Sequence, residues 1–410
     1  NHILKNNQFY LLFHHNRYKK IINKLKIKKK ISVLFLTNHI SQWKYQSLIT
    51  LLQNNDRYNF NVALLPEDNY NQDYNSVYQF NKIEFKKLNI DLISSFNFEK
   101  KTWIDLKKDY KPDIVFFSRA VIKNKFYYSI FNFNNCLTCY VPYSLFIDNN
   151  DKLQCATLFH KLLWKQFLPF NDNLNIAKKY YNSNNIMITD YLGCDLFKNT
   201  KNVNSVWKNK DFTKILWAPH HTIDDFDKKN FFSTFLIFSQ KMINLTIKYK
   251  NNIDFCFKPH PGLKDKLYLH KDWGVKKTNE YYNFWKDNSN TILSESNYQN
   301  LFIESDGLIL DSVSFAAEYL YLNKPYCFLT KKNFNYDLSL NVIGKKIFEI
   351  IDKANDIDEL DNFITNSILK NDQSKIDEQK KLLSHLNIAN KNNAQASQNI
   401  FDFIDKTISN

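Results

Sequence analysis

The sequence predicts an α/β protein built from two domains with doubly wound parallel sheets. The first observation is length, since 410 residues exceed what one domain usually holds. The second is that short apolar runs alternate with longer segments of helical spacing, as in chains that cover parallel sheets with helices. The third is composition, because 44% hydrophobic and 24% charged residues are typical of a globular chain.

Short apolar runs in the first half predict buried parallel strands. Ile31–Thr37 reads ISVLFLT and follows a polar stretch, and helical spacing follows it at 41–52. Pro66 and Pro142 each close a later run. These elements predict an N-terminal Rossmann-like domain at 31–200. The predicted strands are 31–37, 60–65, 114–117, 137–141 and 186–189, and residues 155–182 are predicted to be helical.

The second half repeats this alternation and predicts a second Rossmann-like domain at 205–345. A helical, amphipathic tail is predicted at 346–410. The predicted strands are 215–218, 253–257, 291–293, 308–310 and 326–329, and the predicted helices are 231–249, 297–304 and 314–322.

Glycine usage limits how this chain can hold phosphate. The sequence has five glycines, and no two are spaced to form GxGxxG or GxxxxGK. A Walker-type loop and a dinucleotide fingerprint are therefore excluded. Any phosphate must be held by helix N-termini, hydroxyls and basic side chains.

Cysteine and hydropathy patterns indicate a reduced, cytoplasmic protein. Cys136 and Cys139 form a CxxC motif in a strand-like run, but no second pair lies nearby, so we expect buried strand cysteines rather than a zinc or redox site. The sequence has no apolar run of the roughly 18 residues that a transmembrane helix needs, and no recognisable signal peptide.

Positive charge is concentrated in a basic N-terminal helical arm. Residues 1–30 contribute +9 of the net charge of +15, through nine basic and no acidic side chains, which leaves +6 for the other 380 residues. A basic, partly amphipathic helix suits an anionic membrane surface. The alternative is a solvated basic helix that packs on the domain. Nucleic acid is not expected as a partner, because no nucleic-acid-binding motif follows the arm.

Polar side chains follow three predicted strands of the second domain, in three clusters. The carboxyl ends of parallel strands meet at one edge of a sheet, where ligands bind. Cations, imidazoles and hydroxyls at such an edge suit a diphosphate leaving group. The three clusters are Trp217–Thr222 with His220 and His221; Lys258–Pro261 with Lys258 and His260; and 305–314 with Asp311, Ser312 and Ser314.

Each of these residues also has a structural interpretation. Histidines beside proline often bond loop carbonyls, and Ser314 could be a helix N-cap with Glu318 on the next turn. Adjacent residues on an extended chain point apart, so we expect His220 and His221 not to share a metal ion. The acids of Asp225-Phe226-Asp227 have the DxD form of metal-dependent glycosyltransferases, but acids are favoured at a helix start in any case.

Together the clusters resemble the CDP-glycerol glycerophosphotransferase family, whose members build teichoic acids and related capsule polymers. Lys258-Pro259-His260-Pro261 is similar to the family's Lys-x-His-Pro segment. Asp311-Ser312-Val313-Ser314, Glu318 and Lys324-Pro325 are similar to a second segment at the same spacing. The resemblance, clearest at 214–329, implies a GT-B fold of two Rossmann-like domains facing a cleft. It implies that the first domain binds the acceptor and the second binds the nucleotide-activated donor. It also implies no obligatory metal, no cofactor beyond the nucleotide-activated donor, and donor contacts from these residues.

Two departures from the family pattern leave the acceptor base unassigned. His220-His221-Thr222 stands where the family usually has an arginine, and the family's His-Gly pair in the first domain is absent. We therefore take His39, which follows the first strand, as the candidate base, and regard His160, in an apolar helix, as structural. The N-terminal part, with Trp43 and Tyr45, resembles a subgroup from capsule and lipopolysaccharide gene clusters.

The leading expectation is transfer of glycerol phosphate, or a related polyol-phosphate or sugar unit, from a CDP-activated donor to a hydroxyl of a bacterial surface polysaccharide or lipid-linked acceptor. Such an enzyme would be peripheral on the cytoplasmic face of the inner membrane. His260 and Lys258 would stabilise the diphosphate, and Glu318 would hold a ribose or glycerol hydroxyl. The alternatives are a GT-B glycosyltransferase that uses a UDP-, GDP- or CMP-sugar, and a non-catalytic protein that binds polyanions.

Overall fold

The computed structural model divides the chain into two units. The first unit contains residues Asn1–Ser144, Asn150–Leu196 and Leu386–Asn410, and the second contains Leu145–Asn149 and Phe197–His385. The structure describes residues 16–66, 73–120, 128–198, 205–223, 233–295, 298–332, 334–372, 374–386 and 395–409.

The first unit contains a parallel sheet of seven strands, in the order β3-β2-β1-β6-β7-β8-β9. The five predicted strands are confirmed to within two residues, because the apolar residues of each are buried or half-buried in the sheet. The strands are β1 Ile31–Thr37, β2 Tyr58–Leu64, β3 Leu92–Ser94, β6 Ile114–Phe117, β7 Leu137–Tyr140, β8 Lys165–Leu168 and β9 Ile186–Ile188, and a small antiparallel pair is formed by β4 Phe96–Asn97 and β5 Thr102–Trp103.

The prediction of one helical segment at 155–182 is wrong, because strand β8 interrupts it. β8 begins with Lys165 and Gln166, so its apolar run is too short to read as a strand. Gln166 is fully buried, and its Nε2 donates to the carbonyl of His160 at 3.2 Å. The helices around it are α5 Asp151–Cys155, α6 Leu158–Leu162 and α7 Asn171–Lys178.

The described part of the basic arm is a helix over residues 16–26, here α1, whose apolar face is buried in the first unit's core. That face consists of Tyr18, Ile21 and Leu25. The Tyr18 hydroxyl lies 2.6 Å from Thr138 Oγ1 and donates to the Leu162 carbonyl at 2.6 Å. This segment therefore packs on its domain, and its lysines lie on the exposed side. Residues 1–15 of the arm lie outside the described part of the chain.

The second unit contains a parallel sheet of six strands, in the order β12-β11-β10-β13-β14-β15. The first and fourth strands of the unit, β10 and β13, are neighbours, so the strand order reverses between them. The predicted strands are confirmed, whereas the short β15, which includes Asp352 and Lys353, was not recognised. The strands are β10 Thr213–Ala218, β11 Ile253–Phe257, β12 Thr291–Leu293, β13 Gly307–Leu310, β14 Tyr326–Leu329 and β15 Asp352–Ala354.

Helices pack on both sheets and complete the two cores. In the first unit they are α2 Gln46–Gln53, α3 Tyr74–Lys87, α4 Leu106–Tyr110 and, after those given above, α17 Ala396–Ser409. In the second unit they are α8 Phe235–Lys248, α9 Leu263–Leu269, α10 Gly274–Asp287, α11 Gln299–Glu304, α12 Val313–Tyr319, α13 Tyr336–Ser339, α14 Val342–Ile350 and α15 Ile357–Phe363; α16 Ser374–Leu386 follows. None of the described helices is long and apolar enough to cross a membrane.

Helix α17 belongs to the first unit although it lies about 200 residues away in sequence from that unit's last strands. Its apolar side includes Ile400, Ile404 and Ile408, which lie in the same core as β1 and β2. The buried Asp195 carboxylate accepts hydrogen bonds from the backbone N–H groups of Ala396 at 2.9 Å and Ser397 at 2.7 Å. Asp195 therefore supplies a cap for the start of α17 from a distant part of the chain.

We expect Asp195→Ala to destabilise the first unit by about 1–2 kcal/mol, because loss of a helix cap typically costs that much. Urea unfolding followed by tryptophan fluorescence measures the effect. Asp402→Ala is the matched control, since Asp402 lies exposed on the same helix and accepts a hydrogen bond from the side chain of Gln398, one turn before it. Equal stability of the two variants would contradict the capping role.

Candidate functional site

The three predicted clusters of the second unit follow adjacent strands of its sheet. The strand pairing places β11, β10 and β13 side by side, and all three run parallel. Beyond the strands the backbones stay paired, since Lys258 N donates to the Trp217 carbonyl at 2.8 Å and His260 N donates to the Pro219 carbonyl at 3.0 Å. The side chains after β10 and β11 therefore lie at one sheet edge, as the sequence predicts.

An aromatic cluster beneath this edge holds the strand ends in place. Trp217, at the end of β10, is fully buried, and its ring centroid lies 5.0 Å from that of Phe257 at the end of β11. The ring of Phe235 stacks on that of Trp217 at 5.8 Å, and the ring of Trp285 lies 5.6 Å from it. Such packing contributes buried area and a fixed ring geometry, so the loops above it start from rigid positions.

Three imidazoles meet directly above these strand ends. The ring centroid of His221 lies 4.1 Å from that of His260 and 4.4 Å from that of His220, and His220 lies 5.1 Å from His260. We call these three residues the histidine cluster. The expectation that the adjacent side chains of His220 and His221 point apart is wrong, because the chain bends at His221 and does not continue as an extended strand.

Hydrogen bonds indicate which ring nitrogens of His260 and His220 can carry a proton. His260 Nδ1 accepts the N–H of Gly262 at 3.1 Å, which leaves the proton of the neutral ring on Nε2. His220 Nδ1 lies 2.9 Å from Thr222 Oγ1, which itself accepts the N–H of Ser233 at 3.3 Å. A hydroxyl that accepts this N–H can still donate its proton to His220. Both rings can thus present an N–H at Nε2.

Burial favours the neutral forms of His220 and His260. Burial, reinforced by the nearby His221 and Lys266, lowers the pKa of His220 to about 3. The same cause, with the surrounding positive groups, lowers the pKa of His260 well below its usual range. Lys258 is 6% exposed, and its burial lowers the pKa of its ammonium to about 8. The edge is therefore electropositive through one lysine and through N–H donors, rather than through charged imidazoles.

Asp311 fixes the position of the loop that carries His220. Its carboxylate is fully buried, and it accepts the N–H of His220 at 2.5 Å. It also accepts the N–H of Thr234 at 2.5 Å and the Thr234 hydroxyl at 2.9 Å. Burial raises the pKa of this carboxyl to about 6, while these hydrogen bonds act in the opposite direction. The expected donor contact of Asp311 does not fit a carboxylate that is fully buried and bonded in this way, so we infer that Asp311 positions the site.

The other predicted donor-binding residues lie on or just before α12. Ser312 and Ser314 are half-buried at its start, and their hydroxyls are 3.5 Å apart. Glu318 is 2% exposed on the same helix and accepts a hydrogen bond from the Tyr298 hydroxyl. This hydrogen bond fixes the position of the Glu318 carboxylate. Binding a ribose or glycerol hydroxyl requires a fixed carboxylate, and a purely structural role would also use one.

Lys324 caps the C-terminal end of helix α11, a role that its match to the family segment does not predict. Its Nζ donates to the carbonyls of Ile303 and Ser305, both at 2.6 Å, at the end of α11. A lysine at this place satisfies carbonyls that have no partner within the helix. The Lys-Pro part of the resemblance is thus explained by helix termination in this chain.

The candidate base, His39, lies in the first unit, directly after β1. Its Nδ1 accepts the N–H of Ser41 at 3.2 Å and lies 2.9 Å from Ser41 Oγ, and its ring stacks on Phe80 at 5.6 Å. His160 is fully buried and bonds the start of α6 through Thr157 N, which matches its structural interpretation. Cys136 and Cys139 are buried and carry no disulfide.

Two features of the site could not be anticipated from the sequence. The contact of Thr234 with Asp311 joins positions 77 residues apart, and no motif marks Thr234. The approach of His221 to the other rings depends on a bend that the spacing of His220 and His221 does not encode. Asp225-Phe226-Asp227 lies outside the described residues.

Comparison with solved structures identifies the fold as GT-B, a class made of two Rossmann-like units. The wall teichoic acid polymerase TagF matches with a TM-score of 0.59 at 14% identity, over 98% of both chains. A Staphylococcus aureus MnaA–UDP structure matches with a TM-score of 0.58 at 14% identity, over 92% of this chain and 96% of that chain. A Neisseria meningitidis UDP-GlcNAc 2-epimerase bound to UDP-GlcNAc matches with a TM-score of 0.57 at 14% identity, over 92% of this chain and all of that chain.

At these identities the likeness shows the fold alone. No protein family profile matches the chain, and no curated protein matches it in sequence.

We expect Asp311→Ala to lower the stability of the second unit by roughly 2–6 kcal/mol, because it leaves two buried N–H groups without an acceptor, each costing about 1–3 kcal/mol. Urea unfolding measures the change, with the exposed Asp287→Ala as the control. Asp311→Asn keeps one carbonyl oxygen and should fall between the two. Wild-type stability in Asp311→Ala would refute the positioning role.

Proposed function

We propose that the protein is a transferase that moves glycerol phosphate, or a related polyol-phosphate or sugar unit, from a CDP-activated donor to a hydroxyl of a bacterial surface polysaccharide or lipid-linked acceptor. The observation that carries the proposal is the convergence of the histidine cluster and Lys258 at the strand-order reversal of the second sheet. N–H donors and a buried ammonium at this place suit the two phosphates of a nucleotide diphosphate.

The proposed reaction is a substitution at phosphorus. An acceptor oxygen bonds to the phosphorus that carries glycerol, and the bond between that phosphorus and the oxygen bridging to the cytidine phosphate breaks. The bridging oxygen and its electron pair leave with CMP, and the hydroxyl proton passes to a base. Negative charge on the departing CMP grows during this step, so donors aimed at it lower the barrier.

Each proposed residue has a distinct part in this step. His260 and Lys258 contact the departing phosphate, and His220 and His221 bind the diphosphate beside it. Ser312 and Ser314 supply hydroxyls, Glu318 holds a ribose or glycerol hydroxyl, and Asp311 keeps the His220 loop in place. No resident cofactor or metal is required for this step.

His39 is the proposed base. To accept a proton at Nε2, the ring must carry its own proton on Nδ1, which gives up the 3.2 Å hydrogen bond from Ser41 N. Ser41 Oγ, 2.9 Å from Nδ1, can then accept a hydrogen bond from that position. The alternative to a CDP donor is a UDP-, GDP- or CMP-sugar. The UDP-bound and UDP-GlcNAc-bound structural neighbours favour testing UDP first.

We expect CDP-glycerol to be consumed with release of CMP when the purified protein is given the donor and membranes that carry acceptor. His260→Ala should reduce this rate at least 100-fold, because one donor to developing charge contributes about 10²- to 10³-fold. Release of CMP is followed by chromatography. The thermal unfolding midpoint with CDP, UDP or GDP reports donor binding separately, since a ligand of the native state raises it.

His270→Ala is the matched control, because His270 lies in the same unit and its Nδ1 likewise accepts a backbone N–H, that of Asp272 at 3.2 Å. Full activity in His260→Ala would overturn the assignment. Stabilisation by UDP alone, with UDP release from a UDP-sugar, would replace the glycerol phosphate reaction by the glycosyltransferase alternative. Binding of polyanions with no release of any nucleotide would instead support the non-catalytic alternative.

We also propose that the basic arm contacts an anionic membrane surface through its exposed lysines. The apolar side of α1 is buried in the first unit, so charge rather than insertion would carry the contact of this segment. Lysines near an anionic surface contribute about 1 kcal/mol each. The exposed lysines of α1 are Lys19, Lys20, Lys24 and Lys26.

Replacing these four lysines by Gln should weaken binding to vesicles that contain an anionic phospholipid, most strongly at low salt. Vesicle sedimentation measures the bound fraction. A control chain carries Gln at four exposed lysines of the second unit and should bind as the wild type does. Equal binding of the two variants would show that α1 is not the contact. The control positions are Lys250, Lys271, Lys276 and Lys286.

A further inference from the structure

The histidine cluster has the composition and spacing of a metal-binding site. Among the residues that the structure describes, it is a group of three side chains, each offering one nitrogen, with the three nitrogens within 4.8 Å of one another. Two nitrogens about 2.0 Å from a tetrahedral zinc ion lie about 3.3 Å apart. Bringing the three rings to that spacing requires side-chain shifts of little more than 1 Å.

The surroundings allow such a shift. All three rings are half-buried, so they retain some freedom while two of their backbones stay fixed by Asp311 and Pro219. For His260 to bind through Nε2, its proton must move to Nδ1, which gives up the 3.1 Å hydrogen bond from Gly262. The loss of one such hydrogen bond is small beside the binding free energy of a structural zinc site.

The ligand set also selects the class of ion. Neutral imidazoles suit zinc, copper, nickel and cobalt, whereas magnesium and calcium prefer oxygen ligands. Lys258 and Lys266 lie close enough to act electrostatically on His260, and their positive charge disfavours ions held by charge alone. An ion that forms strong bonds to nitrogen is therefore favoured over magnesium.

We propose that His220, His221 and His260 form a binding site for a first-row divalent transition metal ion such as zinc. Three protein ligands leave a fourth position of a tetrahedral ion open to water or to another ligand. Such an ion would bring two positive charges to this sheet edge. That the donor's phosphates bind at the same edge rests on the proposed function. The metal site itself depends only on the geometry of the three rings.

Zinc binding to the full chain, without an affinity tag and after treatment with a chelator, tests the proposal. The protein used in this test carries the substitutions His14→Ala and His15→Ala, which remove the other adjacent histidine pair. Isothermal titration with zinc chloride should give one ion per chain, and cobalt chloride should give the intense visible bands of a four-coordinate ion. Magnesium chloride should give no binding.

His220→Ala, His221→Ala and His260→Ala should each weaken zinc binding at least 10- to 100-fold, the range already produced by loss of an outer-shell partner. His270→Ala should leave binding unchanged. The thermal unfolding midpoint of each variant shows whether it is folded. If an alanine variant unfolds, His221→Asn is measured in its place. A weakly bound ion that none of the three substitutions affects would overturn the proposal, as would no binding to the wild type.

These measurements contain no nucleotide, so their failure leaves the proposed transferase untouched. CMP release in the presence of the chelator tests the transferase without the metal. CMP release in the presence of the chelator, together with zinc binding in the titration, would confirm the two proposals separately.

Discussion

The buried carboxylate of Asp311 is the contact on which the candidate site depends. It joins the end of β13 to the first residue of the histidine cluster and to Thr234, at the start of α8. Two backbone N–H groups and one hydroxyl converge on it, which is how a buried charge becomes tolerable. Since His260 is tied to the same loop through Pro219, displacement of Asp311 would move residues that follow two different strands.

Burial determines which side chains at this sheet edge are charged and which are neutral. Imidazoles that stay neutral can act as hydrogen-bond donors or as metal ligands, and the two uses differ only in which nitrogen carries the proton. The proposed function uses the donor form, and the metal site uses the other form. Lys258 then remains the charged group of the edge, and its low exposure strengthens its attraction for an anion.

Continuous apolar runs made most of the fold predictable. β1, β6, β11 and β14 lie where their sequences place them, because strands buried on both faces are mostly apolar. The sequence does not predict β3, β8 and β15, since β3 and β15 are only 3 residues long and β8 begins with two polar residues. The strand-end clusters were likewise predictable as a group, whereas the bend at His221, the contact of Thr234 and the use of Lys324 as a helix cap arise only from tertiary packing.

The return of α17 to the first unit has a consequence for biosynthesis. Side chains of α17 fill part of the core around β1 and β2, so that core stays incomplete until residues 396–409 have left the ribosome. The second unit can be finished first, although it comes later in the chain. A nascent chain would therefore carry an unsealed apolar surface beside β1 and β2 until α17 is made, and transiently exposed surface of this kind is prone to aggregation.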